Sequence, residues 1–465
     1  MEKGEDLFRD NTKRLSVIEG GFFGIQEGFG TKYIAPFALA IGKNNPYINT
    51  FIAILHSAPY LIGNLSQLFT NGVMKNYKRK NLLSFFVLFQ SFLWLGVLFS
   101  GFLFLKGVDS NLSLILLIIF YSALVSSGSF VAPVWASLMK DIVDGKRASY
   151  FSRRNAISGF VALISSLIAG IFLDKIGANH LLIGFFLLFL FSFVFRFISG
   201  ILFLYHYDPE FKMNHSNYFS FKDFIKKYKR SNFVKFTIFI SLFILAVSLS
   251  SPFFVVYMLK DLNLSYLKWT IITISGSLSS LIFMPFWGNF IDNHGSIKTL
   301  KITGIFVSFI PLLWMISYYF NPSEINIVIF LVFLEFFAGC MWSGFNLSYP
   351  NFIYDAVTLE KTHLCSAYFN IFYGIGIFIG SIVGSVLLSL NIKLFFVSSI
   401  FFVFFISGIF RISAYLLMIP KINEVRDVQN ISIEKIFKKL PRFKVKPFID
   451  VFNLKIIRPR PNDFD

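Results

Sequence analysis

Twelve apolar stretches, each long enough to cross a bilayer as a helix, follow one another along the chain and are separated by short polar segments. Because about 20 helical residues span the hydrocarbon core, the pattern predicts transmembrane helices near 15–41, 48–70, 82–105, 113–139, 155–173, 181–205, 233–258, 268–290, 299–319, 325–350, 366–389 and 393–419. Helices 3, 6 and 12 are rich in Phe and Leu, which suits contact with lipid. Helices 1, 4, 7 and 10 carry more Ser, Gly, Asn, Gln and acid. The sequence therefore predicts an all-α polytopic membrane protein.

The composition excludes a soluble protein. Hydrophobic residues make up 55% of the 465 residues and aromatic residues 19%, and a soluble fold would leave far too much of this surface exposed to water. The two cysteines, Cys340 and Cys365, lie in or beside predicted spans and do not form a disulfide framework. We expect neither a metal nor a cofactor.

The charge of the loops predicts the topology. Nearly all of the 43 Lys and Arg residues fall in the loops on one side of the twelve spans. A surplus of Lys and Arg marks cytoplasmic loops, so both termini are predicted to be cytoplasmic in a cell membrane protein. The net charge of +18 then favours anionic lipids of the cytoplasmic leaflet and gives no support to nucleic-acid binding.

Three polar segments are predicted to lie on this cytoplasmic side. Residues 1–14 form a polar N-terminus, and residues 420–465 form a basic tail. Residues 206–232 form a basic linker that contains an amphipathic stretch, which favours a short helix lying at the membrane interface.

An internal repeat divides the membrane part into two six-helix bundles, 15–205 and 233–419. The correspondences occur at offsets of 214 to 216 residues: Ala35-Pro36-Phe37 with Ser251-Pro252-Phe253, Gly72 with Gly288, Asp141 with Asp355, Gly170 with Gly384, and Arg196 with Arg411. Repeated halves are typical of secondary transporters that bind solute between two moving bundles.

The loops after helices 2 and 8 resemble the Gly-x3-Asp-Arg-x-Gly-Arg-Arg/Lys motif of the major facilitator superfamily. The second copy runs from Gly288 through Asp292 and Gly295 to Lys298. The first copy retains Gly72 and Arg79 but lacks the acid. The segment with Asp141 and Arg147 between helices 4 and 5 is also similar to the family.

The resemblance covers about 15–419 and implies twelve helices in two pseudo-symmetric bundles that work by alternating access. It also implies that these loops clamp the halves together, with the second copy as the better gate because its acid is present. The signatures of sugar porters and of many drug antiporters are missing, so no subfamily is assigned.

Two carboxyls lie near the middle of helices that line the central cavity in the family. Glu27 is on helix 1 and Glu335 on helix 10, where its repeat counterpart in helix 4 is Tyr121. An ionisable group at this depth is costly and needs a reason to be there. We predict that Glu27 and Glu335 form the ionisable pair of the cavity and carry protons or balance a cationic or amphipathic substrate. Alternatively, each carboxyl only neutralises a cation in a span.

We predict structural or supporting roles for the other polar residues within the spans. Arg196 and Arg411 are predicted to snorkel or to pair with Glu19, and Lys32 is predicted to snorkel outward. The remaining candidates for hydrogen bonding or stacking in the cavity are Gln26, Ser126, Tyr257, Trp342 and Asn346.

We therefore predict a monomeric secondary active transporter of a small solute, with protons as the possible coupling ion. One alternative is a membrane enzyme acting on a lipid-linked substrate, which would need clustered carboxylates, histidines or a metal site. No such cluster occurs in the sequence, so an enzyme is not expected. A second alternative is a transporter-like sensor that signals through its basic tail.

Overall fold

The computed structural model describes residues 2–74, 76–143, 147–209, 231–320, 325–357, 359–393, 398–426 and 428. Within these residues the regular structure is entirely helical. The first six helices are α1 (Glu2–Phe29, continued by Ile34–Ile41), α2 (Ile48–Met74), α3 (Arg79–Leu105), α4 (Ser110–Ile142), α5 (Arg147–Ile176) and α6 (Leu181–Leu204). The second six are α7 (Asn232–Ser248, continued by Phe253–Val256), α8 (Tyr266–His294), α9 (Ser296–Trp314), α10 (Ile325–Ala356), α11 (Leu359–Ser389) and α12 (Ser399–Met418). The amphipathic stretch of the basic linker and most of the basic tail lie outside the described residues.

Ten of these helices, α3 to α12, are long and apolar enough to cross a membrane. The other two, α1 and α2, are equally long but interrupt their apolar surface with groups such as Glu19, Glu27, His56 and Gln67. Helix α1 begins at Glu2, so the predicted polar N-terminus is helical and continues directly into the first span.

Glycines allow the first helix of each half to pack closely against the fifth helix of the same half. A Cβ atom on Gly24 of α1 would collide with the Ser158 carbonyl of α5, and a Cβ on Gly380 of α11 would collide with the Leu245 carbonyl of α7. Small residues permit such close approach of membrane helices. The pairs α1 with α5 and α7 with α11 are thus equivalent contacts in the two halves.

Helices α1 and α7 are both broken, at positions that differ by about three residues in the repeat. In α1 the break lies at Gly30 and is followed by a 3-10 turn, Thr31–Tyr33. In α7 the helix stops at Ser248, resumes at Phe253 and ends in a π-helical turn, Tyr257–Asp261. Pro252, just before the resumed piece of α7, has no N–H and cannot continue the α-helical hydrogen bonds. Interrupted helices of this kind commonly form the binding sites of transporters.

The two halves meet at the end of the molecule farthest from the N-terminus. The Tyr33 hydroxyl lies 2.7 Å from that of Thr270, and the Leu267 amide donates to Asp174 at 3.2 Å. Helices α2 and α11 also touch deeper in the molecule, where Asn64 donates to the Asn370 carbonyl at 2.8 Å. Contacts between the halves therefore close this end.

We call the opposite end, which holds the N-terminus and the α2–α3 and α8–α9 loops, the terminal face. Its two main ion pairs each join residues of a single half: Arg79 with Asp141 in the first, Arg426 with Asp355 in the second. These pairs therefore stabilise each half separately, unlike the contacts at the closed end.

Candidate functional site

Glu27 lies directly before the break in α1 and is bonded by residues of the break. The Thr31 hydroxyl donates to the Glu27 carboxylate at 2.9 Å and accepts from the Gln26 amide at 2.9 Å. The two candidates Gln26 and Glu27 are thus joined through one hydroxyl. Because the helix is interrupted here, the position of Glu27 and its partners is set by the irregular backbone of α1.

Two tyrosines of the first half lie near this carboxylate, and two tyrosines of the second half extend the group; we call these four residues the tyrosine cluster. Tyr60 of α2 and Tyr121 of α4 lie within Coulombic range of Glu27, and Tyr60 lies within the same range of Tyr373 of α11. Tyr349 of α10 packs on Tyr373 with ring centroids 6.0 Å apart. Tyr60 lies deep between the halves, yet 50% of its surface is exposed, so the cluster borders an internal opening.

Sequence reasoning predicted only Tyr121 of the tyrosine cluster. The other three tyrosines are single residues on separate helices, and nothing in the repeat relates them to one another. Their convergence is a result of helix packing alone.

Two cations lie within Coulombic range of Glu27, namely Arg196 and Lys32. Arg196 is buried and donates to Gln90 at 2.6 Å, and it forms an ion pair with Glu19 at 3.4 Å, which was one of its two predicted alternatives. Glu19 is shared with Arg154 at 2.8 Å.

Lys32 does not snorkel outward. Its ammonium nitrogen is buried and has no hydrogen-bond partner among the described residues. It lies in the 3-10 turn of the break, where the interrupted helix turns the side chain away from the surface.

Neither Glu27 nor Glu335 is among the charged groups that act on the other, so the two do not form the predicted ionisable pair. A Cβ on Gly276 of α8 would lie 3.0 Å from a Glu335 carboxylate oxygen, which shows that the side chain fits against α8. The buried indole NH of Trp314 lies near it but outside hydrogen-bond geometry. The rotation of α10 about its axis turns Glu335 toward α8 and α9, and no charged group among the described residues acts on it.

The remaining predicted cavity residues fall into different environments. Tyr257 is 4% exposed and bonds to Ser317 at 2.7 Å, so it belongs to the core of the second half and was wrongly expected in the cavity. Trp342 packs on Phe345, and Asn346 is exposed. The Ser126 hydroxyl is buried without a partner among the described residues.

Arg411 does not pair with an acid in the part of the chain that the structure describes. Its guanidinium donates to the carbonyls of Val307 at 3.0 Å and Val247 at 3.2 Å and to the Ser250 hydroxyl at 2.8 Å. Val247 and Ser250 flank the break in α7. Arg411 thus bonds to groups at the break in α7 and to the Val307 carbonyl of α9, which lacks its usual helical donor because residue 311 is a proline.

On the terminal face of the first half, Arg79 is 1% exposed and pairs with Asp141 at 2.6 Å and Asp208 at 3.0 Å. The acid missing from the α2–α3 loop is therefore supplied by Asp208, which follows α6. Asp208 also accepts from the Lys80 amide at the start of α3, at 3.1 Å. The first copy of the motif is not the weaker charge cluster that its sequence suggests. The side chain of Arg147, at the start of α5, lies outside the described residues.

The second half repeats this arrangement with a different base. Arg426, which follows α12, pairs with Asp355 at 2.9 Å and lies 3.9 Å from Asp292. Glu424 accepts from the Ile297 amide at the start of α9, at 2.8 Å. Gly295 has a φ of +86° and packs against Glu424, so only glycine fits there without strain.

The two leading glycines of the motif are more loosely packed than Gly295. A Cβ on Gly72 would meet nothing within 4 Å, and one on Gly288 would touch only the Leu347 side chain. Lys298, the last residue of the second copy, lies in the first turn of α9.

Three residues of these charge clusters, Asp208, Glu424 and Arg426, were not predicted from the sequence. Asp208 and Glu424 are 216 residues apart, which is the offset of the repeat. That spacing is the signal that could have found them.

The described part of the chain contains no group of three His, Cys, Asp or Glu residues that could hold a metal ion.

Comparisons with known proteins agree with this architecture. No curated protein sequence matches the chain. Among solved structures, a mutant form of the nucleoside transporter NupG aligns with a TM-score of 0.66 at 12% identity, covering 90% of this chain and 100% of that chain. A bacterial homologue of the iron transporter ferroportin aligns in its inward-facing state with a TM-score of 0.66 at 15% identity, covering 88% and 98%. A structure of such a homologue in the outward-facing state gives 0.58 at 11% identity, again covering 88% and 98%. These likenesses establish the fold.

The sequence model of the protein family named Major Facilitator Superfamily matches residues 22–353 and 236–461 of this chain. The chain therefore belongs to the Major Facilitator Superfamily and is a multi-pass membrane transporter.

Proposed function

We propose that this protein is a proton-coupled secondary transporter that moves a small solute by alternating access, with Glu27 as the proton carrier. The observation that carries the proposal is the position of Glu27. It lies at a break in α1, within Coulombic range of tyrosines on α2 and α4, and between halves that meet at one end.

Alternating access requires that the contacts between the halves at the closed end break and form again during transport. These contacts include neutral hydroxyls and a carboxylate-to-amide bond, as in Tyr33 to Thr270 and Asp174 to Leu267. Hydrogen bonds of this kind contribute about 1 kcal/mol each, so a few of them can be exchanged for others during a conformational change.

We infer from the distribution of Lys and Arg that the terminal face is cytoplasmic, as in a cell membrane protein with both termini inside. The structure then corresponds to an inward-open state. The basic loops on this face suit contact with anionic lipids. A monomer suffices because the site lies within one chain.

Glu27 is suited to carry a proton because a change in its charge alters its electrostatic interactions with neighbouring groups. The carboxylate accepts from Thr31 and lies within range of two cations. Taking up a proton removes one negative charge from a region of low dielectric constant, which changes the interaction of the site with any charged solute.

The test is solute uptake into proteoliposomes under an imposed pH gradient. The probes are labelled organic anions, organic cations, sugars, amino acids and nucleosides, with empty liposomes as background. We expect the pH gradient to drive uptake of at least one class in the wild type. In Glu27→Gln, net accumulation should fall at least tenfold, whereas exchange of the same solute across the membrane should persist.

Glu335→Gln is the matched control, because it makes the same change in a carboxyl that has no charged neighbour among the described residues. It should retain accumulation. If Glu335→Gln lost accumulation and Glu27→Gln kept it, the proton carrier would be Glu335. Absence of uptake for every class would contradict the transport proposal itself.

A further inference from the structure

The charged groups that run from the start of α5 to the break in α1 do not balance within the described residues. Two carboxylates, Glu19 and Glu27, stand against three cations, Lys32, Arg154 and Arg196. Arg154 and Arg196 share Glu19, so one carboxylate serves two guanidinium groups. This set of five groups carries one uncompensated positive charge.

Lys32 is the cation of this set that makes no ion pair or hydrogen bond with the described residues, and its ammonium nitrogen is buried. The charge that acts on it among these residues is Glu27, which is already bonded to Thr31. A buried ammonium without a counter-ion is costly, and an incoming anion would relieve that cost.

The tyrosine hydroxyls at the site are free to donate hydrogen bonds to a solute. No hydroxyl of the tyrosine cluster has a hydrogen-bond partner among the described residues, and none of the four is shut off from solvent. A phenol donates well to an anionic oxygen. The aromatic faces of Tyr349, Tyr373 and Phe369, which pack together, suit a flat apolar body.

We propose that the transported solute is a small organic anion with a carboxylate and an aromatic or other flat apolar body, and that Lys32 binds the carboxylate. This inference rests on the proposed function and names its substrate class. It replaces the expected cationic substrate, because that expectation depended on a pair of carboxylates that the structure separates.

The charge balance also predicts how proton and anion are coupled. Protonation of Glu27 leaves one carboxylate against three cations, so the site attracts an anion more strongly. Anion and proton therefore bind together and move in the same direction.

The experiment measures binding to the purified full-length protein by thermal shift, with four probes of similar shape and different charge. The probes are benzoate (anion), benzylamine (cation), benzyl alcohol (neutral) and phenylalanine (zwitterion). A ligand that binds only the folded state raises its stability as its concentration exceeds the Kd. We expect benzoate to give the largest shift, and the shift to grow as the pH falls from 8 to 6.

Two substitutions should change benzoate binding in opposite directions. Lys32→Gln should raise the apparent Kd at least tenfold. Glu27→Gln should leave it unchanged or lower it, and should remove the pH dependence. Lys32→Arg keeps the charge and should bind benzoate within about threefold of wild type, and Lys43→Gln, at an exposed lysine beyond the end of α1, should match wild type.

The outcomes separate this inference from the proposed function. Stabilisation by benzylamine or benzyl alcohol but not by benzoate would overturn the proposal that the solute is an anion. It would not affect the proposal that the protein is a transporter. Benzoate binding that is unchanged in Lys32→Gln would overturn the role of Lys32. If no probe binds and no solute class enters proteoliposomes, the proposed function fails with it.

Discussion

The two halves of the molecule share the same arrangement of helices but differ in the side chains at the break in their first helix. Both first helices are interrupted, α1 at Gly30 and α7 after Ser248. The break in α1 carries Glu27 and Lys32, whereas the break in α7 is bonded by Arg411 through carbonyl and hydroxyl oxygens. The repeat therefore preserves the interruption while only the first half places ionisable groups of both signs around it.

The corresponding arginines of α6 and α12 show the same divergence. Arg196 bonds to the side chains of Glu19 and Gln90, and Arg411 bonds to two backbone carbonyls and two serine hydroxyls. One position of the repeat thus belongs to the charge cluster in the first half and stabilises a helix break in the second. Pseudo-symmetry predicts where a group lies but not what it binds.

The terminal face gives the largest expected difference between the halves. Arg79 is buried between two carboxylates, and Arg426 is 35% exposed. Removing one partner from a buried ion pair costs about 3–5 kcal/mol, so Arg79→Ala should lower the free energy of unfolding by that amount. Arg426→Ala should cost less than about 1 kcal/mol because solvent screens the pair. Denaturation of both variants in detergent measures the difference, and equal losses would show that the two networks are equivalent.

Arg411 tests whether the break in α7 depends on its side chain. Arg411→Met removes the donor to the Val307 carbonyl, which Pro311 cannot replace, and takes one bond each from the Val247 carbonyl and the Ser250 hydroxyl, which keep other partners. Each unsatisfied buried group costs about 1–3 kcal/mol, partly offset because a buried charge is removed, so we expect a net loss of about 2 kcal/mol. Arg411→Lys keeps the charge with fewer directed donors and should fall between wild type and Arg411→Met. Wild-type stability in Arg411→Met would mean that the break is held by other contacts.

The glycine contacts test the feature that the halves have in common. Gly24→Ala and Gly380→Ala each place a methyl group against a backbone carbonyl of the neighbouring helix. Overpacking of this kind costs about 1–3 kcal/mol, and we expect similar losses of about 1–2 kcal/mol in both halves. Gly21→Ala is the control, because its added Cβ meets nothing within 4 Å and Ala favours a helix. A loss in only one half would show that the two helix pairs are not equivalent.

The smallest expected effect concerns the acids that follow α6 and α12. Glu424→Ala removes a carboxylate from the amide of Ile297 and should cost about 1 kcal/mol, as for other helix N-terminal acceptors. Asp208→Ala removes the equivalent bond and also a partner of Arg79, so it should cost more. Thermal denaturation of the two variants ranks them, and a greater loss in Glu424→Ala would contradict the assignment of Arg79 as the more deeply buried base.

The sequence by itself determined the class of protein and its division into halves. Hydrophobic length is a local property, so twelve stretches of adequate length predicted the helices before any packing was known. The repeat related Arg196 to Arg411 and Asp141 to Asp355. For Arg196 the sequence left two alternatives open, snorkelling or pairing with Glu19, and the structure shows the pair.

The tertiary structure alone decided which side chains meet. A partner depends on the rotation of each helix about its axis and on which helices are neighbours, and neither is set by hydrophobicity. Rotation of α10 separates Glu335 from Glu27, packing of four helices assembles the tyrosine cluster, and the chain beyond α6 brings Asp208 to Arg79, 129 residues away. Lys32 differs from the prediction for a related reason, since a side chain at a helix break has no regular direction that a sequence pattern can supply.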